Sequence, residues 1–286
     1  METNFRAAAA PVPSAFAWHI AGRHRAATSM VRATRIGAAL MATLVAAAAI
    51  AAPVAAADPP PGANRARAEV QLGLCTPADR IVQVLDLRPR GTPMQVWQFD
   101  DPDLTLLGRG VRLRLRVAAD GGSELTLKVA DQDCARLGRG LVPAGEGKCE
   151  YDVYGATTAG AVSLVRRLGA QETGDLVAGR AAPAQVLGPA QTRYLREVVG
   201  VWPLPAGIRA LGPIEVRTYR TPDRRYDVDI SELPGGDRHA EISRKVPVAA
   251  AARTMEAMAA ELSRAGVAVC ADQSSQAAGK LRSFLR

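Results

Sequence analysis

Residues 99–129 read FDDPDLTLLGRGVRLRLRVAADGGSELTLKV, and the rest of the chain is laid out around them. From Val111 to Val117 the residues alternate strictly. Val111, Leu113, Leu115 and Val117 share one face, and Arg112, Arg114 and Arg116 share the other, the period-two signature of a strand. A turn at Asp120, Gly121 and Gly122 leads into a second run. There Leu125, Leu127 and Val129 oppose Thr126 and Lys128, so the pair reads as a β-hairpin with four cations on one face. A solvated surface is the ordinary explanation for such a face, and the flanking sequence shifts the balance away from it.

The order F-D-D-P-D-L-x-L-L-x-x-G, then V-R-L-R-L-R, then L-T-L-K resembles the CYTH family, the triphosphate tunnel enzymes. Their corresponding segment reads approximately Y-x-D-T-P-D-L-x-L-x-x-x-G-x-x-L-R-I-R, followed by L-T-x-K. The resemblance spans most of Glu69 to Leu285, strongest from Phe99 to Lys128. It implies an α+β fold, an antiparallel barrel or tunnel of about eight strands with helices packed outside.

It also implies a small polyanionic ligand, a triphosphate or polyphosphate. Divalent Mg or Mn would support attack of water or, in one branch, cyclisation of a nucleotide. By the same resemblance Arg112, Arg114, Lys128, Arg217 and Lys245 are phosphate contacts. Glu69, Glu150, Asp229 and Glu241 are the metal-binding or water-activating acids, and Arg116 lies beyond the tunnel mouth. The first strand departs from the family pattern E-x-E-x-K, reading Glu69-Val70-Gln71-Leu72-Gly73. Losing the second carboxylate weakens a hard-cation site, and losing the lysine removes a phosphate partner.

Other strands are expected at Arg67–Leu74, Met94–Phe99, Glu150–Tyr154, Ile214–Thr221, Tyr226–Ser231 and His239–Val246. Apolar spacing predicts helices over Thr76–Val84, Ala159–Leu168, Pro189–Val199 and Val248–Ala265, the last stopped by Gly266. A closing stretch from Ser274 to Leu285 carries Lys280. If the charged strand faces point into a barrel, the ions there are costly unless the lumen is wet or the charges pair. A non-catalytic secreted protein whose tunnel charges merely pair with one another is therefore the alternative to a polyanion binder.

Residues 1–57 read as a targeting region. Met30, the expected true start, precedes Arg32 and Arg35, an apolar run from Ile36 to Ile50 and the small residues Ala55–Ala57. That is the pattern of a secretory signal cleaved near Ala57. Ile36 to Ala57 is also just long enough for an uncleaved membrane anchor. Residues 58–66 are an extended leader, and 67–286 the tunnel domain. Cleavage leaves no membrane segment and places the protein in a secreted, periplasmic or envelope compartment.

After residue 57 the chain holds 31 basic and 27 acidic residues, a net charge of +4. With aromatics at 4% of the chain, the stacking platforms of a nucleic-acid binder are missing. His239 is the sole histidine after residue 57, which leaves almost no material for a His-based triad or multi-His zinc site. Gly108 and Gly110 do not open a strand-to-helix phosphate loop.

All four cysteines, Cys75, Cys134, Cys149 and Cys270, follow the signal, and none forms C-x-x-C. Export makes an even set read as disulfides. Cys134 and Cys149 bracket a glycine-rich connection whose closure stabilises by about 3 kcal/mol in the chain-entropy model. Cys75 with Cys270 is the default second pair, although the sequence leaves three connectivities open.

Overall fold

The computed structural model describes residues 66–285, apart from 135–136, 138–140, 144, 156 and 272–280. The targeting region 1–57, the leader up to residue 65 and Lys280 lie outside the described residues.

Ten strands form: β1 (Arg67–Leu74), β2 (Arg88–Pro89), β3 (Met94–Asp100), β4 (Val111–Ala118), β5 (Ser123–Val129), β6 (Gly147–Tyr154), β7 (Thr157–Leu168), β8 (Arg209–Arg220), β9 (Asp227–Glu232) and β10 (Arg238–Pro247). Nine of them close a barrel in the order β3-β4-β5-β7-β6-β1-β10-β9-β8, with β8 returning to β3, while β2 pairs only along β8. Neighbours run antiparallel except β1 and β6, which are parallel, so the barrel is mixed.

The ninth strand is β7, where apolar spacing predicts a helix. Ala161, Leu164, Val165 and Leu168 do fall at helical intervals, but they fit a strand as well. Val162 and Leu164 are fully buried while Ser163, Val165 and Arg167 alternate with them. Pairing to β5 on one side and β6 on the other decides between the two. Gly160 lets β7 approach the chain after β5: its carbonyl accepts from the Gln132 N–H at 2.9 Å, and an added Cβ would sit 1.9 Å from the Gln132 carbonyl oxygen.

The barrel is polar inside and apolar outside, which requires a cover over its outer faces. Helices α1 (Ala78–Val84) and α6 (Ala251–Arg264) bury Ile81, Met255, Met258 and Leu262 against Val70, Leu72, Val228 and Ile242 of β1, β9 and β10. Helix α2 (Thr105–Gly108) is a single turn between β3 and β4. Three short helices, α3 (Ala170–Val177), α4 (Pro183–Val186) and α5 (Pro189–Tyr194), supply the second cover, with a π-helical turn at Leu195–Val199 continuing α5.

They pack Leu176, Val186, Tyr194 and Leu195 on the outer faces of β3, β4, β5 and β7. Gln191 pins this layer, its amide donating to the carbonyls of Leu125 and Leu164 at 3.0 Å each.

The Asp-Asp-Pro-Asp run proves to be structural. The Asp100 carboxylate accepts from the N–H groups of Asp101, Leu106 and Leu107, and Asp101 accepts from those of Asp103 and Thr105. Together they satisfy the open end of α2 and turn the chain from β3 into β4.

The cysteines pair as Cys75–Cys270 and Cys134–Cys149, with Cα separations of 5.0 and 5.6 Å. The first closes 195 residues, worth about 5 kcal/mol in the chain-entropy model. Two disulfides fit an oxidising compartment. Among the described residues no helix is long and apolar enough to cross a membrane.

Candidate functional site

Pairing registers carry one face of β1, β3–β6 and β8–β10 into the lumen. Arg112 sits opposite Lys128, Arg114 opposite Thr126, and Arg116 opposite Val96. Further round, Glu69 lies opposite Lys245, and Glu241 opposite Asp229. These faces enclose a cavity of about 430 Å³. Six cations line it (Arg90, Arg112, Arg114, Arg116, Lys128 and Lys245) together with four carboxylates (Glu69, Asp227, Asp229 and Glu241).

Seven of the nine residues singled out in the sequence therefore line one cavity: Arg112, Arg114, Lys128, Lys245, Glu69, Asp229 and Glu241. Glu150 stands beside it. Its carboxylate is 2.5 Å from Lys148 Nζ and 3.4 Å from Lys245 Nζ. Arg217 is not brought in.

In β8 the lumen takes Ile214, Val216 and Thr218, so Arg217 points the other way, 56% exposed and paired with Glu215 at 2.7 Å. Charge on the Glu215–Arg217–Tyr219 face made it look like the inner one, but the register opposite β3 and β9 sets the reverse. Arg116 is corrected in the other direction, lining the cavity rather than lying beyond its mouth.

Arg114 is the most heavily desolvated cation. Its Nε is buried without a hydrogen-bond partner. Burial pushes the guanidinium down to about 9, and the neighbouring charges of Arg116 and Arg112 push the same way, against the pull of Asp229 and Glu241. Burial also lowers Arg116, with Asp229, Glu124 and Glu69 opposing it. An anion placed between these guanidinium groups removes the like-charge repulsion and supplies the missing acceptor.

Other members of the site pair among themselves. Lys128 Nζ lies 2.5 Å from Asp152 Oδ2, with side chains only 21% and 10% exposed. For Glu150 burial raises the pKa, but hydrogen bonding and charge from Lys148, then the charge of Lys245, outweigh it and leave the group lowered. Burial lowers Lys245, yet Glu69 and Glu150 prevail and hold it above its ordinary value. At one rim Asp227 accepts from Arg90 and Arg220. Burial, then the nearby charges of Asp152 and Glu241, raises Tyr154, which lines the lumen one pleat from Asp152.

Tyr154 and Arg90 are site residues that the sequence reading did not assign. For Tyr154 the signal was present in the alternation of E-Y-D-V-Y. Arg90 lies just after the two-residue strand β2 and carries no pattern of its own.

No protein-family model and no curated protein matches the sequence. Solved structures do match. One is a candidate adenylyl cyclase of Hippeastrum described as having dominant triphosphatase activity, with a TM-score of 0.50, 16% identity, and coverage of 74% of this chain and 96% of that one. The fold is that of the CYTH-like tunnel.

Candidate adenylate cyclases of Bacillus halodurans (TM-score 0.49, 13% identity, 74% of this chain and 97% of that one) and Vibrio parahaemolyticus (0.41, 11%, 74% and 97%) are also similar. At 16% identity the Hippeastrum match establishes the CYTH-like architecture alone.

CYTH-like proteins are metal-dependent in general, but the donors here do not fit a divalent ion. Among the described residues no group of three or more His, Cys, Asp or Glu could hold one. Gln71 lines the lumen as an amide where the family places a carboxylate, and Gly73 brings no side chain. Glu150 and Asp152 are engaged by lysines. A hard cation needs several free oxygen donors converging, so Mg and Mn find no assembled seat in the Glu69, Glu150, Asp229 and Glu241 set.

Proposed function

We propose that this is an exported polyanion-binding protein whose tunnel takes a small phosphorylated ligand of the triphosphate or polyphosphate class. The observation that carries this reading is Arg114. It is half-buried at the centre of a row of three arginines, depressed by burial and then by its neighbours, and its Nε is buried without a partner beside the cavity. Arg112, Arg114, Arg116, Lys128 and Lys245 are the phosphate contacts of this proposal, and export follows from the targeting region. Binding requires no metal-dependent step.

Lys128–Asp152 and Lys245–Glu150 favour a second reading, a secreted protein whose tunnel charges neutralise one another. The unpartnered Nε of Arg114 distinguishes the two.

The test is thermal stabilisation and phosphate release by the chain produced in an oxidising compartment. Tripolyphosphate, ATP and long polyphosphate are added with and without Mg²⁺ or Mn²⁺. A shift with tripolyphosphate, unchanged by a chelator and without phosphate release, is expected. No shift with any of the three supports the self-paired tunnel, and metal-dependent release refutes the restriction to binding.

A further inference from the structure

The cavity wall is not uniform. Along β4 and β5 it is made of Arg112, Arg114, Arg116, Thr126 and Lys128. Immediately beside β4, strands β3 and β8 present Met94, Val96, Ile214 and Val216 to the same space, and Leu107 and Leu281 extend that surface. Val96 and Ile214 pack with Leu233 and Phe284. Leu281 packs with Leu104 and Leu211, and Phe284 touches both groups. The result is an apolar strip along one side of the cavity, bounded by Gln98 on β3 and Thr218 on β8, in a wall that elsewhere mixes charged and neutral polar side chains.

Val96, Ile214 and Leu281 are buried in that packing, while Met94, Leu107 and Val216 stay half-buried and keep apolar surface toward the cavity that a phosphate chain alone would leave in water. Charged and aliphatic walls in one cavity of about 430 Å³ match a ligand with both characters. Among the described residues no aromatic ring lines the cavity on this side, so the strip offers no stacking platform for a base. Of its polar neighbours, Thr218 already donates its hydroxyl to Asp229 at 2.7 Å.

We infer that the ligand is a phosphate or diphosphate ester of an aliphatic alcohol, its phosphates on the β4 arginines and its chain along β3 and β8. The inference rests on the anion-binding reading and narrows it to a substrate class.

Calorimetric titration of the full chain with pyrophosphate, geranyl diphosphate and geraniol tests it. The two diphosphates share a head group, so their ratio isolates the strip. Geranyl diphosphate is expected to bind at least tenfold tighter than pyrophosphate, a difference of about 1.4 kcal/mol, with geraniol binding far more weakly than either. Val216→Thr combined with Met94→Gln keeps the size of both side chains and should cut that ratio to threefold or less, leaving pyrophosphate affinity unchanged.

Equal affinity for the two diphosphates in the native chain overturns the inference while leaving anion binding intact, and so does a ratio indifferent to the double substitution. Failure of pyrophosphate, tripolyphosphate and geranyl diphosphate alike to bind overturns both readings.

Discussion

Strands β4 and β8 carry the same kind of message and deliver it in opposite directions. Each alternates a charged face with an aliphatic one. In β4 the arginines face the lumen and Leu113 and Leu115 are buried outside; in β8 Ile214 and Val216 face the lumen and Arg217 faces solvent. What differs is the cover. The outer face of β4 lies under α3–α5, whereas Ile214 and Val216 belong to neither helix-covered core and pack instead with Val96 and Leu233. A strand's pattern separates its two faces. Whatever packs behind it decides which one is inward.

The contrast can be broken most forcefully at the covered face. Leu115 is fully buried, and Leu115→Ala is expected to cost about 3 kcal/mol through lost transfer free energy and the cavity left behind. Urea unfolding measures it, and a cost below about 1 kcal/mol would mean that α3–α5 do not seal this side.

Next in size is the ligand effect. Arg114→Ala should weaken tripolyphosphate binding roughly tenfold to a hundredfold, the worth of a charge-assisted hydrogen bond, as read by calorimetry. Arg217→Ala should change it by less than about twofold, since no charge is removed from the lumen. Equal losses at the two positions would show β8 turned the other way round.

A smaller effect concerns the paired inner wall. Glu150 has its folded pKa held below its ordinary 4.5 by Lys148 and Lys245 against burial. A depressed carboxylate contributes stability that is complete above its unfolded value and is lost as pH falls through the folded one. The stability gap between the native chain and Glu150→Gln should therefore be full at neutral pH and shrink below about pH 4.5. Chemical denaturation at several pH values follows it, and a gap that widens in acid contradicts the pairing.

The smallest expected change is the stability of Arg217→Ala itself, within about 0.5 kcal/mol, because its pair with Glu215 is a solvent-exposed one.

Much of the fold was legible locally. Strands β1, β4, β5 and β10 stand within a residue or two of where alternation puts them, and α6 ends where Gly266 takes a positive φ of 70°. Both disulfides form the pairs expected by default. β2 and the short helices α2, α3 and α4 were not expected, and β7 was expected as a helix, because alanine, valine and leucine at mixed spacings satisfy two periodicities at once, and hydrogen bonds to β5 and β6 settle which one holds.

In the site, arginines on a strict alternation could be assigned to a shared face at once. Arg90 had no such pattern, and Arg217 had one that pointed the wrong way.

By itself, the sequence determined that strands with segregated faces alternate with helical cover, that four cations share one face of a hairpin, and that the first strand lacks Glu at 71 and Lys at 73. These are properties of spacing and residue type, and they survive without knowledge of neighbours. Only the tertiary structure decided which faces turn inward, that Asp152 and Glu150 are held by lysines, and that an aliphatic strip runs beside the arginines. Those outcomes depend on register around a closed ring, where each strand's orientation is fixed by the strands on either side and by the helices that pay for burying its back.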